Sequence, residues 1–109
     1  QPIYVLTSSA TFSAAEELAY DLRAEGRATI VGETTGGGAN PSGMMDAGPN
    51  FSVIMPLAEA RHPRTGGAWE GVGVRPDVAV PADRALQTAV RLAAGLTSAP
   101  LSPPATPVR

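Results

Sequence analysis

The sequence has no cysteine, no lysine, one histidine and few aromatic residues. Without cysteine there are no disulfides, no thiolate metal ligands and no thiol nucleophile. Without lysine there is neither a Ser/Lys dyad nor Schiff-base chemistry, because all eight basic residues are arginines, which stay protonated and make poor general bases. The lone histidine, His62, cannot supply a zinc site built from several histidines, and nothing else in the sequence points to a metal or a cofactor. Long apolar runs are also missing. None approaches the ~20 residues of a membrane-spanning helix, and the N-terminus lacks the basic-then-apolar layout of a signal peptide. Any export signal would precede Gln1, so the compartment stays open. No basic stripe offsets the net charge of -2, which argues against a nucleic-acid partner.

What is present is the composition of a globular domain: 109 residues, 43% hydrophobic and 17% charged. Ile3 to Leu6 is a β-branched and aromatic run without alternation, which predicts a strand covered on both faces. From Ser13 onward, Ala15, Leu18, Ala19 and Leu22 follow helical spacing. Glu16 and Glu17 occupy the first turn, Arg23 lies near the end and Gly26 is the stop. Ala28 to Gly32 repeats the strand signature, so residues 3 to 32 read as a βαβ unit on a sheet that is at least partly parallel. Phe51, Val53 and Met55 alternate with Ser52 and Ile54 and predict a strand facing the core on at least one side. Val78 to Val80 reads as a short strand or extended arm. Pro81 and Asp83 open a second helix with Leu86, Ala89, Val90 and Ala93 as its buried stripe and Gly95 as its stop. Residues 1–95 are then the folded part. Residues 96–109, with four prolines, are expected to form a Pro-rich disordered tail. The abrupt opening into a strand suggests a piece of something longer.

Chemistry concentrates where strands give way to other elements. Thr7-Ser8-Ser9-Ala10-Thr11-Phe12-Ser13 joins the first strand to the first helix, and the carboxyl edge of an open α/β sheet is where ligands bind. A serine at a helix N-terminus has backbone N–H groups beside it that favour a developing negative charge, so Ser13 fits a nucleophile with an oxyanion site. Ser13-Ala14-Ala15-Glu16 is equally the capping-box pattern, and because caps are common and nucleophiles rare the local pattern alone favours the cap. Glu33 to Gly43 is a glycine-rich loop at the same edge. No G-K-[ST] follows it, so a phosphate cradle is weakly supported, and close backbone approach to a ligand or another loop stands level with a plain flexible turn. His62, in the turn His62-Pro63-Arg64-Thr65-Gly66-Gly67, is expected to be a solvated surface residue. Glu70, in Trp69-Glu70-Gly71-Val72-Gly73-Val74, reads by itself as an exposed acid.

Taken together, four blocks resemble one family in its own order: Pro2 to Ser8, Thr11 to Glu17, Gly26 to Ala39, and Trp69 to Val78. The sequence is similar to the tail-specific (C-terminal-processing) serine peptidases, in particular the branch resembling interphotoreceptor retinoid-binding protein. The resemblance spans about residues 2 to 95. It implies a partial ClpP/crotonase-like α/β fold, with a βαβ unit followed by short strands and a C-terminal helix. This chain would be the C-terminal portion of the catalytic domain.

In the family the residue matching Ser13 is the nucleophile, and the amide matching Ala14 helps form the oxyanion hole. The resemblance also sets Gly36, Gly37 and Gly38 at the border of the substrate cleft. Processing peptidases place a lysine at the position of Gly38, which this chain cannot provide. The tricorn-like arrangement resembles Ser-His-Glu instead, which nominates Glu70, with the histidine supplied from before Gln1. The expected function is therefore a serine endopeptidase acting on a peptide or protein, inactive as this fragment alone. Two rivals stand beside it. One is a retinoid- or fatty-acid-binding module of the same fold. The other is a structural subdomain whose open sheet edge pairs with a second copy or with the missing N-terminal part of the domain.

Overall fold

In the computed structural model, residues 1–96 are described. The proposed tail beyond Leu96 lies outside them. Among the described residues the elements are β1 (Ile3–Thr7), α1 (Ala14–Ala24), β2 (Ala28–Gly32), β3 (Ser42–Asp46), β4 (Ser52–Pro56), β5 (Val78–Ala79) and α2 (Ala82–Ala93). They build a mixed α/β structure with a parallel sheet, two helices and a separate antiparallel hairpin.

The sheet has the order β1-β2-β5, with β2 central. β1 and β2 pair in parallel from Ile3 with Ala28 to Thr7 with Gly32, and β2 pairs in parallel with β5 through Val31 with Val78. Asp77 extends that last ladder: its N–H donates to the Ile30 carbonyl, and its carboxylate accepts the Ile30 N–H, both at 2.8 Å. Because successive side chains of β2 point to opposite faces, Ile30 and Val31 enter different cores. Ile30 packs with Ala19, Trp69 and Val74 on the α1 side. Val31 packs with Ala85, Ala89 and Leu92 of α2 on the other.

Both helices end as their glycines direct. Gly26, at φ 64°, donates to the Arg23 carbonyl while Arg27 N–H reaches Leu22, the paired bonds of a Schellman stop. Gly95 and Leu96 repeat the arrangement on Leu92 and Arg91.

Several expectations are corrected. On α1 the buried positions are Glu16 and Ala19; of the expected stripe Ala19 is buried and Leu22 half-buried, while Ala15 and Leu18 are exposed. On α2 the buried stripe is Ala85, Ala89 and Leu92, while Leu86, Val90 and Ala93 face outward. The helix turns Ala85, Ala89 and Leu92 toward Val31 of β2, so of the expected stripe only Ala89 is buried. Among the described residues β1 is an edge strand; Val5 packs on the α1 side and Tyr4 on the α2 side, so both faces are covered at its middle, while Ile3 and Leu6 remain exposed. The alternating run at Phe51 to Met55 does form a strand, but no core lies against it. Among the described residues β4 pairs only with β3, a strand the sequence reading did not predict, its first two residues falling in the glycine-rich loop, and β4 is exposed throughout.

Candidate active site

The carboxyl ends of β1 and β2 are fused by close backbone contact. Gly32, at φ 139°, lies so near Thr7 that a Cβ there would stand 2.0 Å from the Thr7 carbonyl oxygen. Thr7 Oγ1 donates to the Glu33 carbonyl at 2.8 Å, and Glu33 N–H returns to the Thr7 carbonyl. From this anchor the chain turns through Ser8 to Thr11. The hydroxyls of that turn serve the backbone: Thr11 Oγ1 accepts from Ser8 N–H at 3.0 Å, and Ser8 Oγ accepts from Ala10 N–H. The Glu33 carboxylate accepts from Ser9 N–H and from Ala82 N–H at the start of α2. These donors hold its pKa below the usual value, the Ser9 amide contributing most.

Ser13 emerges from this turn with φ 55° and ψ −126°. A positive φ is rare for a residue with a Cβ, costs on the order of 1–3 kcal/mol, and persists only where the surroundings hold it. The same strained strand-to-helix turn exposes the nucleophilic serine of many hydrolases. Glu16 N–H donates to the Ser13 main-chain carbonyl at 2.8 Å, and the Glu16 carboxylate accepts the Ser13 N–H in return, the glutamate half of the expected capping box. Ser13 is exposed at the helix start. Among the described residues the Ala14 N–H, next in the chain, has no hydrogen-bond partner.

The buried group in this region is Glu16, which is 0% exposed. Its carboxylate accepts from Ser13 N–H (2.8 Å), Gly38 N–H (2.8 Å), Gly37 N–H (2.6 Å) and the Thr35 hydroxyl. Burial pushes its pKa up, but the hydrogen bonds from Thr35, Gly37, Gly38 and Ser13 together outweigh that and hold it below the usual carboxylate value. The sequence reading gave Glu16 as a capping-box glutamate in the first turn, which the Ser13 N–H bond bears out, but not its bonds to Thr35, Gly37 and Gly38. The signal that could have found it is its position three residues before Ala19, on the buried face of α1.

The glycine-rich loop is thus a built structure. Gly37 donates its N–H to Glu16, and its carbonyl accepts from Gly71 N–H at 2.8 Å. Thr35 Oγ1 accepts from Val74 N–H at 2.7 Å. A Cβ on Gly73, at φ 72°, would stand 2.2 Å from the Thr35 carbonyl oxygen. The close approach expected of this loop is therefore made to the Trp69–Val74 segment. That segment places Glu70, whose Oε2 accepts from Ala39 N–H (2.7 Å) and Asn40 N–H (2.8 Å). Beneath it Trp69 is buried against Tyr20, ring centroids 5.1 Å apart.

Of the nominated residues, Ser13, Ala14, Gly37, Gly38 and Glu70 line one cleft of about 590 Å³, together with Phe12, Trp69 and, from the hairpin, Ile54. Gly36 does not line it; its N–H donates to the Thr11 carbonyl beside the Phe12 ring. Phe12 also occupies the space over Gly38, where a Cβ would stand 2.2 Å from the ring.

His62 is corrected most clearly. It is buried, not solvated. Its Nδ1 accepts from Thr65 N–H, and its Nε2 lies 3.7 Å from Glu25 and 3.9 Å from Asp21. Those two acids sit two to three turns along α1 from Ser13, roughly 12–18 Å at about 1.5 Å per residue. His62 is therefore part of the packing at the far end of α1 and out of reach of the Ser13 hydroxyl. Among the described residues no helix is long and apolar enough to cross a membrane.

A family model described as peptidase family S41 matches residues 1–80. Among solved structures, the chain resembles mature CPAF complexed with lactacystin (TM-score 0.74, 24% identity, 88% of this chain and 21% of that one). It also resembles a crystal structure of mature CPAF (TM-score 0.66, 24% identity, 78% of this chain and 17% of that one). The likeness is one of fold. The chain spans about a fifth of the length of these structures.

Proposed function

This chain belongs to peptidase family S41, the tail-specific proteases, and from that premise we propose that it carries the nucleophile and part of the oxyanion site of a serine endopeptidase. Ser13 attacks the scissile carbonyl carbon. The negative charge that develops on the carbonyl oxygen is met by the Ala14 N–H at the N-terminal end of α1, where the helix dipole adds to it. The amine leaves with the proton taken from Ser13, and water then hydrolyses the Ser13 ester to release the second product. Glu70 orients the base that takes and returns the proton, and Gly37 and Gly38 border the bound peptide.

The observation that supports this reading is the strained backbone of Ser13, which sets this exposed serine at the N-terminus of α1, beside the Ala14 N–H, in the cleft that Glu70 also lines. The base comes from outside these residues. The chain has no lysine, its one histidine is committed to the far end of α1, and a side chain on Gly38 would meet Phe12. A serine hydroxyl without a base is a weak nucleophile, so the chain by itself is inactive. The arrangement is Ser-His-Glu, with Glu70 bonding the histidine in place of the Ala39 and Asn40 amides it now accepts from.

Fluorophosphonate labelling followed by intact mass tests this on the chain alone and on a chain extended upstream of Gln1, each beside Ser13→Ala. Labelling of the extended chain only, abolished by Ser13→Ala, is the expected result. Two folded proteins that both stay unlabelled, with saturable binding of retinoid or fatty acid, would replace the peptidase reading with the carrier.

A further inference from the structure

The carboxylate of Glu16 belongs to no part of the reaction just described, yet it joins the three segments that form the site. It accepts the N–H of Ser13, the N–H groups of Gly37 and Gly38, and the hydroxyl of Thr35, whose Oγ1 in turn accepts from Val74. A helix cap needs only the first of these bonds. The other three reach about twenty residues along the chain into a loop that has no regular secondary structure of its own.

We infer that Glu16 is a positioning residue: one buried carboxylate locks the Ser13 turn and the Thr35–Gly38 loop into a single geometry, so that the nucleophile and the cleft wall keep their spacing. This rests on the reading of Ser13 as the nucleophile. The physical basis is donor number. Four donors converge on two oxygens in a site closed to water, where charge-assisted hydrogen bonds are short and strong and an unmade one is costly. The positive φ of Ser13 is held against its own preference by the bond to its N–H, and the same oxygen, Oε2, also holds Gly38. A displacement of the loop is therefore felt at the serine. Glutamine has nearly the same shape but only one acceptor oxygen, and its NH2 would face N–H donors, so Glu16→Gln breaks the clamp without opening a cavity.

The test uses the chain extended upstream, in its wild-type form and as Glu16→Gln, Thr35→Val and Ser13→Ala. The labelling rate of Ser13 and the amide hydrogen exchange of Ser13, Gly37 and Gly38 are followed together. In folded Glu16→Gln, labelling is expected to slow about 100-fold, the scale on which misplacement of a catalytic group acts. The three amides should lose protection together, while Ile30 and Val31 in β2 keep theirs. Thr35→Val removes one donor of four and should slow labelling about 10-fold; should Glu16→Gln fail to fold, this variant carries the test.

Labelling within threefold of wild type in the folded variant overturns the proposal, as does loss of protection at Ser13 alone, which would reduce Glu16 to an ordinary cap. A wild-type chain that never labels defeats the peptidase reading instead. The clamp then stands or falls on whether the three amides respond as one.

Discussion

The βαβ body and the β3–β4 hairpin are made from similar residues and held in opposite ways. Ile30, in β2, is fully buried between α1 and the Trp69–Val74 segment, whereas Ile54, in β4, is 71% exposed. Around Ile30 nearly every element is tied by backbone bonds to another. The hairpin shows Met44, Met45, Phe51, Val53, Ile54 and Met55 to solvent and is bonded mainly to itself. Alternating apolar residues are therefore enough to make a strand, but a core needs a second surface, and only the body has one within these residues. The body fixes Ser13, Glu16 and the glycine-rich loop, while the hairpin contributes Ile54 and Pro56 to the cleft from its open side.

The sharpest test of that contrast is backbone contact. Gly73→Ala places a Cβ against the Thr35 carbonyl at a positive φ; because both partners are backbone, neither can swing aside, and a loss of about 3 kcal/mol or more in denaturant unfolding is expected. Gly48→Ala at the hairpin tip also sits at positive φ but meets nothing within 4 Å, so its loss should be limited to about 1 kcal/mol.

A matched pair of side chains comes next. Ile30→Ala should cost about 2–5 kcal/mol through lost burial and the cavity left behind. Ile54→Ala should stay within about 0.5 kcal/mol in the same unfolding experiment. Equal losses would mean that the hairpin is buried in solution.

Acid reads out the clamp. The Glu16 carboxyl has a folded pKa below its ordinary 4.5, so the unfolded chain takes up the proton first. Its contribution to stability is therefore complete above about that value and is lost as pH falls through the lower folded one. Wild-type stability should drop along that limb, and Glu16→Gln, already lacking the contribution, should show a shallower fall in melts recorded from neutral pH downward.

The smallest effect concerns association. The outward apolar surface of the hairpin and of α2 at Leu86 and Val90 should make the chain dimerise or aggregate. Met44→Ser with Ile54→Ser should lower the mass seen by light scattering while leaving the melting temperature nearly unchanged. A monodisperse wild-type monomer would instead give these surfaces no partner in solution.

Much of the body was legible because its signals are local. The strand-forming runs at Ile3 and Ala28, the S-x-x-E start of α1 and the glycines at its end and at that of α2 depend on near neighbours in the chain. The errors share one cause. Helical spacing on α2 selected Leu86, Ala89, Val90 and Ala93, but the sheet meets the neighbouring face, Ala85, Ala89 and Leu92. His62 looked solvated from its prolyl turn, yet the turn folds onto Tyr20, Asp21 and Glu25 from some forty residues away. The alternation in β4 gave its strand but not its partner, because β3 is short, glycine-containing and weakly patterned.

By itself the sequence determined every element but β3, the chemistry excluded by missing cysteine and lysine, and the position of a serine at a strand-to-helix junction, since each follows from residue type and near-neighbour spacing. Tertiary structure alone decided that Glu16 serves two loops besides its own helix, that Glu70 reaches the amides of Ala39 and Asn40, and that His62 belongs to the opposite end of α1. Those outcomes depend on hydrogen-bond donors and packing surfaces brought together from distant segments, and no local pattern records which donors a buried carboxylate will meet.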